Sequence, residues 1–173
     1  MSRSYTIMLS GLKEGHNSID FEIGKEFFEQ FEESEVKEGS LVANIELDKR
    51  SSHLDLVMRI SGSVRLCCDR CLEMLSQPVL CENRLLIKFG KSLEDTDPDI
   101  LSVPSEENEL DIKQHLYEYI YLAIPIKRVH PDDENGISTC DPVMLKKLKE
   151  HLVEKDNNID PRWEELKKLM NDN

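Results

Sequence analysis

Three of the chain's five cysteines fall within residues 63–73, which read S-V-R-L-C-C-D-R-C-L-E. Cys68 and Cys71 stand as C-x-x-C. Two thiols at that spacing on a tight turn can share one metal ion or close as a redox pair. A structural zinc site wants four Cys or His ligands, commonly as two short-range pairs that the fold brings together. The second pair is His130 and Cys140, at the two ends of a polar, glycine-containing loop. His16, His53, His115 and His151 have ordinary settings in a loop, at a strand start and on helix faces. Cys67 and Cys68 point to opposite sides of one strand, and the C-x-x-C spacing selects Cys68 with Cys71. Cys67 then packs, with a Cys67–Cys71 pairing as the alternative. Cys81 falls on the apolar face of its strand and reads as a small buried hydrophobe.

The redox reading expects C-x-x-C at a helix N-terminus in a βαβ setting, where the dipole lowers the thiol pKa. Here alternating strands flank the turn, which favours metal. The other reading of the same residues is a pair of reduced thiols in a turn with His130 in solvent. No Gly-rich phosphate loop, H-E-x-x-H, G-x-S-x-G or persuasive Ser/His/Asp set is present, so an enzyme is not expected.

The elements that must position these residues follow from periodicity. Residues 5–12 suggest an edge strand and 19–23 a short second run. Phe27, Phe28 and Phe31 at helical spacing predict an amphipathic helix over 24–35, with the rings in the core. Leu41, Ala43, Ile45 and Leu47 alternate with polar residues, as do Leu54, Leu56, Met58 and Ile60, then Val64 and Leu66. Ser61-Gly62 reads as a turn or bulge between the last two runs. Val79, Cys81, Leu85, Ile87 and Phe89 share the next strand's apolar face. Together these strands predict an antiparallel meander with one wet and one dry face. Asp111 is placed to cap a helix with Ile112, Leu116, Tyr119, Ile120 and Ala123 as its apolar stripe, stopped by Pro125. Asp141-Pro142 and Asp160-Pro161 open two further helices. The second of these would carry Trp163 as an anchor. The expected fold class is α+β: an antiparallel meander sheet, open or barrel-like, covered by C-terminal helices. Residues 1–90 form the β portion with one short helix, 91–110 an acidic linker, and 111–173 a helical portion packed on the sheet as part of one domain.

The chain has 173 residues, 39% of them hydrophobic, and a formal net charge of −13. That charge opposes sequence-independent coating of a polyphosphate, which needs a positive face. It favours basic protein partners, or RNA contact through a local basic patch. The acid is concentrated in residues 91–111, which read as a solvated connection or as an arm that touches a basic partner. Arg59, Arg65, Arg70, Lys127 and Arg128 supply the candidate patch. Of these, Arg65, Arg70, Lys127 and Arg128 stand beside the candidate ligands in sequence. No secretory signal or apolar run of bilayer length is evident. The expectation is a reduced, cytoplasmic protein with no membrane contact.

The run V-R-L-C-C-D-R-C-L-E, followed by P-V-L, resembles the C-x-R-C-L-E-P signature of the large ribosomal RNA subunit accumulation protein family, the YceD-like proteins. The acidic stretch, the helix ending L-A-I-P-I-K, the loop with His130 and Cys140, and the terminal D-P-R-W-E-E-L-K-K-L are similar to that family's second half. The likeness covers roughly residues 41–173. It implies a bacterial cytoplasmic ribosome biogenesis factor needed for accumulation of large-subunit ribosomal RNA. It also implies a basic large-subunit ribosomal protein or an rRNA-processing factor as partner, with that RNA itself as the alternative target. Some relatives carry a second cysteine pair where this chain has His130 and Cys140, which implies a shared metal site through Cys68, Cys71 and Cys140. His130 departs from that pattern in ligand type.

Overall fold

The structure, a computed structural model, describes residues 5–90 and 99–152. The chain divides into two compact units, Met1–Cys140 and Asp141–Asn173. The first is α+β. Its strands are β1 (Thr6–Met8), β2 (Gly15–Ile23), β3 (Glu38–Lys49), β4 (His53–Cys67), β5 (Met74–Phe89), β6 (Ile100–Val103) and β7 (Glu109–Asp111). Its helices are α1 (Lys25–Phe28) and α2 (Lys113–Ala123).

A five-stranded sheet runs in the order β2-β3-β4-β5-β6, and β1 pairs separately with β7. The strands β2 to β5 form the expected antiparallel meander. Register follows the alternation of apolar residues, because a one-residue slip would turn every buried side chain to solvent. Leu47, Leu56 and Leu85 lie in one row, and Ala43, Ile60 and Cys81 in another. Two features depart from expectation. The sheet is mixed, since β6 runs parallel to β5 with Leu86 opposite Ile100 and Phe89 opposite Val103. Residues 90–99 separate the two strands, so β6 runs alongside the last four residues of β5 where a tight hairpin would have reversed it. Nor is the sheet a closed barrel, because β2 and β6 stand at opposite ends of the strand order and do not pair.

Ser61-Gly62 was expected as a turn or bulge, yet β4 passes straight through it, with Gly62 in continuous register with Leu41. The glycine is required there for a different reason. Its φ is +143°, and a Cβ would collide with the Ser40 carbonyl oxygen and lie 2.7 Å from Leu41 Cα. Close approach of the β3 backbone is what this position demands.

The helix expected over 24–35 shortens to the single turn α1. Ser34 Oγ donates to the Val36 carbonyl and pairs with Tyr121 Oη, which offers the backbone an alternative to helix. The three phenylalanines still enter the interior, with Phe27 and Phe28 fully buried and Phe31 stacked on Tyr117 at 3.9 Å. Within the expected 91–110 linker, residues 100–103 and 109–110 lie in strands β6 and β7, while 91–98 lie outside the described residues. Asp111 ends β7 and accepts from the Lys113 amide at 2.8 Å, so it assists the start of α2 from one residue before the N-cap, Ile112.

One core results. The dry face of the sheet is covered by α1, by Tyr5, Ile7 and Leu9, by Leu110 of β7, and by Leu116, Tyr119 and Ile120 of α2. The second unit holds α3 (Pro142–His151). Asp141 caps it by accepting from the Val143 and Met144 amides, and Pro142 opens it. None of the residues of α3 is buried. The helix expected around Trp163 lies outside the described residues.

Candidate metal centre

The centre is built from two loops. The first, residues 68–73, joins β4 to β5. The Cys68 amide donates to the Glu73 carbonyl at 2.8 Å, and the Leu72 amide donates back to the Cys68 carbonyl at 2.9 Å. Leu72 sits at φ +66°, the only non-glycine residue with positive φ among the described residues. That left-handed step lets the chain reverse within six residues. The turn also points an amide at sulfur, with Arg70 N–H directed to Cys68 Sγ at 3.5 Å.

The second loop runs from Pro125 to Cys140 and is closed by its own polar groups. Asp133 accepts from the Asn135 and Ile137 amides, and Gly136 at φ +76° completes the turn. Thr139 Oγ1 donates to the Pro131 carbonyl, and Asp132 bridges to Ser138. This closure brings the two ends of H-x9-C together. A reciprocal lock fixes the loops to each other. The Asp69 amide donates to the Arg128 carbonyl, the Arg128 amide donates to Asp69 Oδ2, and both distances are 2.7 Å. The Arg128 guanidinium then reaches Asp69 at 3.3 Å and Glu35 at 2.6 Å.

Cys68, Cys71, His130 and Cys140 thereby converge, with their ligand atoms all within 4.8 Å of one another. Cys68 Sγ lies 3.7 Å from Cys140 Sγ. His130 Nδ1 lies 3.4 Å from Cys71 Sγ and 3.8 Å from Cys140 Sγ. No disulfide joins any of the cysteines. A tetrahedral zinc with ordinary bond lengths sets sulfur–sulfur edges of about 3.8 Å and sulfur–nitrogen edges of about 3.6 Å. The donor set and its spacing fit that ion. The three cysteines are buried and His130 is half-buried, as a closed structural site requires.

The electrostatics of the cluster favour anionic sulfur. Burial pushes the Cys68 thiol up, but amides of Cys71, Arg70 and His130 outweigh it together and hold the thiol at about 6. The Ser138 hydroxyl lowers the Cys140 thiol, and His130 adds to that. Hydrogen bonds to Cys68 and Cys140 raise His130. In chelator-stripped protein, the stabilisation from Cys68 is complete above its ordinary value of 9.0 and is lost as pH falls toward 6. His130 has the opposite sign, its contribution being complete below 6.5 and lost as pH rises through its raised value. Because thiolate is the metal ligand, zinc retention against a chromogenic chelator is expected to weaken as pH falls and the thiolates take up protons. Retention unchanged between about pH 5 and 8 would contradict a thiolate site.

Cys67 corrects an expectation: it is exposed at the end of β4, where it meets Met74 Sδ at 3.6 Å, and is not packed. Cys81 is half-buried against the core, where burial raises its thiol. The four candidate contact cations fall in different settings. Arg128 and Arg70 stand at the cluster, Arg70 donating to Ser138 Oγ at 2.9 Å. Lys127 is exposed beside them. Arg65 lies on the wet face of β4, 3.3 Å from Glu38. Sequence reasoning missed Asp69, Glu35 and Ser138 as supports of the site. Only the D-D-E-N-G turn signal around Asp133 was visible in advance.

Residues 56–170 match the family model described as large ribosomal RNA subunit accumulation protein YceD. The chain belongs to the YceD family. The matched stretch holds all four converging residues and both loops. YceD membership carries a role in accumulation of large-subunit ribosomal RNA, and with it ribosome-related partners. No curated protein and no solved structure matches the chain. Among the described residues, no helix of this YceD protein is long and apolar enough to cross a membrane.

Proposed function

We propose that this YceD protein is a non-enzymatic, cytoplasmic ribosome biogenesis factor. It binds a basic ribosomal protein or rRNA-processing factor through its acidic surface, while a zinc ion held by Cys68, Cys71, His130 and Cys140 fixes the loops around the cysteine turn. Three thiolates and one imidazole would supply all four ligands of a structural zinc and leave no position for substrate, so the ion's contribution would be structural.

The observation that supports a protein partner over direct RNA binding is that three of the candidate cations, Arg59, Arg65 and Arg128, already face carboxylates. Arg59 touches Glu46 at 2.6 Å and Glu82 at 2.7 Å. Arg65 touches Glu38, and Arg128 touches Glu35 and Asp69. A cation already facing one or two carboxylates has little attraction left for phosphate. The acidic 91–111 stretch adds to the same sign of field.

Capture of basic ribosomal proteins on the immobilised chain tests this reading. Retention at low salt should be lost at high salt, because exposed charges are screened beyond about 8–10 Å at physiological ionic strength and over shorter distances above it. Charge reversal within 91–111 should weaken retention. Binding indifferent to both changes would contradict the proposal. An electrophoretic shift of ribosomal RNA that disappears on changing Arg70 and Arg128 would favour RNA as the direct target.

A further inference from the structure

The open face of the five-stranded sheet carries a notch. In one row across the strands, Val42 of β3 and Leu80 of β5 flank Ser61 of β4. In the next row, Ser40 and Pro78 flank Ser63. Val42 is 47% and Leu80 83% exposed, so both project from this face. Adjacent strands lie about 4.8 Å apart, which places Val42 and Leu80 about 10 Å apart across side chains of minimal height. A gap of that width between two aliphatic walls takes one aliphatic or aromatic side chain. Isolated exposed apolar residues carry no such meaning. Here two share a row, with only a serine between them.

The surroundings specify the charge of the occupant. The adjacent row on one side holds Asp20, Asn44, Arg59 and Glu82, with Glu46 and Arg84 one row further, so the three carboxylates outnumber the two guanidiniums and negative charge remains. On the other side, beyond the serine row, Arg65 is already engaged by Glu38. The two arginines nearest the notch, Arg59 and Arg65, already face carboxylates, and Arg84 stands two rows away beyond Glu82. A basic one would find carboxylates on both flanks. A second copy of this face would bring like charge against like.

We propose that the Val42–Ser61–Leu80 row is the anchor point for a lysine- or arginine-rich segment of the partner, which inserts one apolar side chain between Val42 and Leu80. This rests on the basic-partner reading and names the place on the sheet where that partner docks. The carboxylates set the sign and salt dependence of binding, and the notch selects which basic segment is held.

The test uses two fluorophore-labelled, lysine-rich peptides of equal charge, one with a central leucine and one with serine there. Each is titrated by anisotropy against the whole chain and its Leu80→Ser and Val42→Ser variants. The leucine peptide should bind about tenfold tighter than the serine peptide, the change given by burying one leucine-sized side chain. Either variant should erase that difference while leaving the salt dependence of both peptides in place. Both residues are exposed, and unchanged thermal unfolding of the variants checks that the fold persists. Equal affinity of the two peptides for the unmutated chain, with salt dependence kept, would overturn the notch and leave the basic-partner reading standing. Salt-indifferent binding, or none, would overturn both. Dimerisation of the chain that is lost on Leu80→Ser would also overturn the inference, since the face would then be occupied by its own copy.

Discussion

Cys140→Ser is expected to release the 126–140 loop while the sheet stays folded. The loop has almost no apolar anchorage of its own. Residues 131–137 are all exposed, and of its side chains only Cys140 is buried. Its hold on the cysteine turn consists of the Asp69–Arg128 lock, the Arg70–Ser138 hydrogen bond and the four converging side chains. A structural zinc contributes folding energy outright, and that contribution is lost with a ligand. Amide exchange at Cys68, Asp69 and Leu72 should therefore accelerate by about a hundredfold or more. Amides of β3 and of the middle of β4 should keep their protection, because their core does not involve the loop. Native-state hydrogen exchange on the metal-loaded proteins checks this. Unchanged protection of the turn in Cys140→Ser would mean that the Asp69–Arg128 lock alone holds the loops.

Phe27→Ala is expected to act globally. The ring is fully buried and packs edge-on against Tyr5 at 4.8 Å and Phe28 at 5.2 Å, with Phe31 at 5.4 Å. It sits where α1, the β1–β7 ribbon and the sheet share one core. Removing it loses the transfer free energy of the ring and leaves a cavity that the surrounding elements cannot collapse into. The cost should be about 3–5 kcal/mol, read as a drop in urea midpoint with unchanged slope. Leu80→Ala, at 83% exposure, should stay within about 0.5 kcal/mol of the unmutated chain. A similar small effect for Phe27→Ala would show that α1 is not part of the cooperative core.

The contrast between these residues also shows what the sequence made legible. The strands β3, β4 and β5 alternate so regularly that their apolar faces could be read directly, while the Leu47–Leu56–Leu85 row became visible only in the sheet. The convergence of Cys68, Cys71, His130 and Cys140 was legible because two loops offered sulfur and imidazole in polar, turn-forming sequence. Periodicity could not show the parallel pairing of β6, since a four-residue strand reads the same in either direction. It also overextended α1, where the side chain of Ser34 competes for the backbone that a helix would need. Gly62 looked like a turn or bulge because a glycine inside a strand has two meanings. Only the approach of the β3 backbone distinguishes close packing from a bulge. The Asp69–Arg128 lock was invisible for another reason. It is made largely of backbone groups fifty-nine positions apart, which no local pattern records.

The most direct measurement is metal content by inductively coupled plasma mass spectrometry on the native protein, purified without chelator, beside Cys68→Ser. The account predicts close to one zinc per chain in the unmutated protein and loss of most of it in the variant. Less than about a tenth of an equivalent in the unmutated protein would contradict a zinc clasp at Cys68, Cys71, His130 and Cys140.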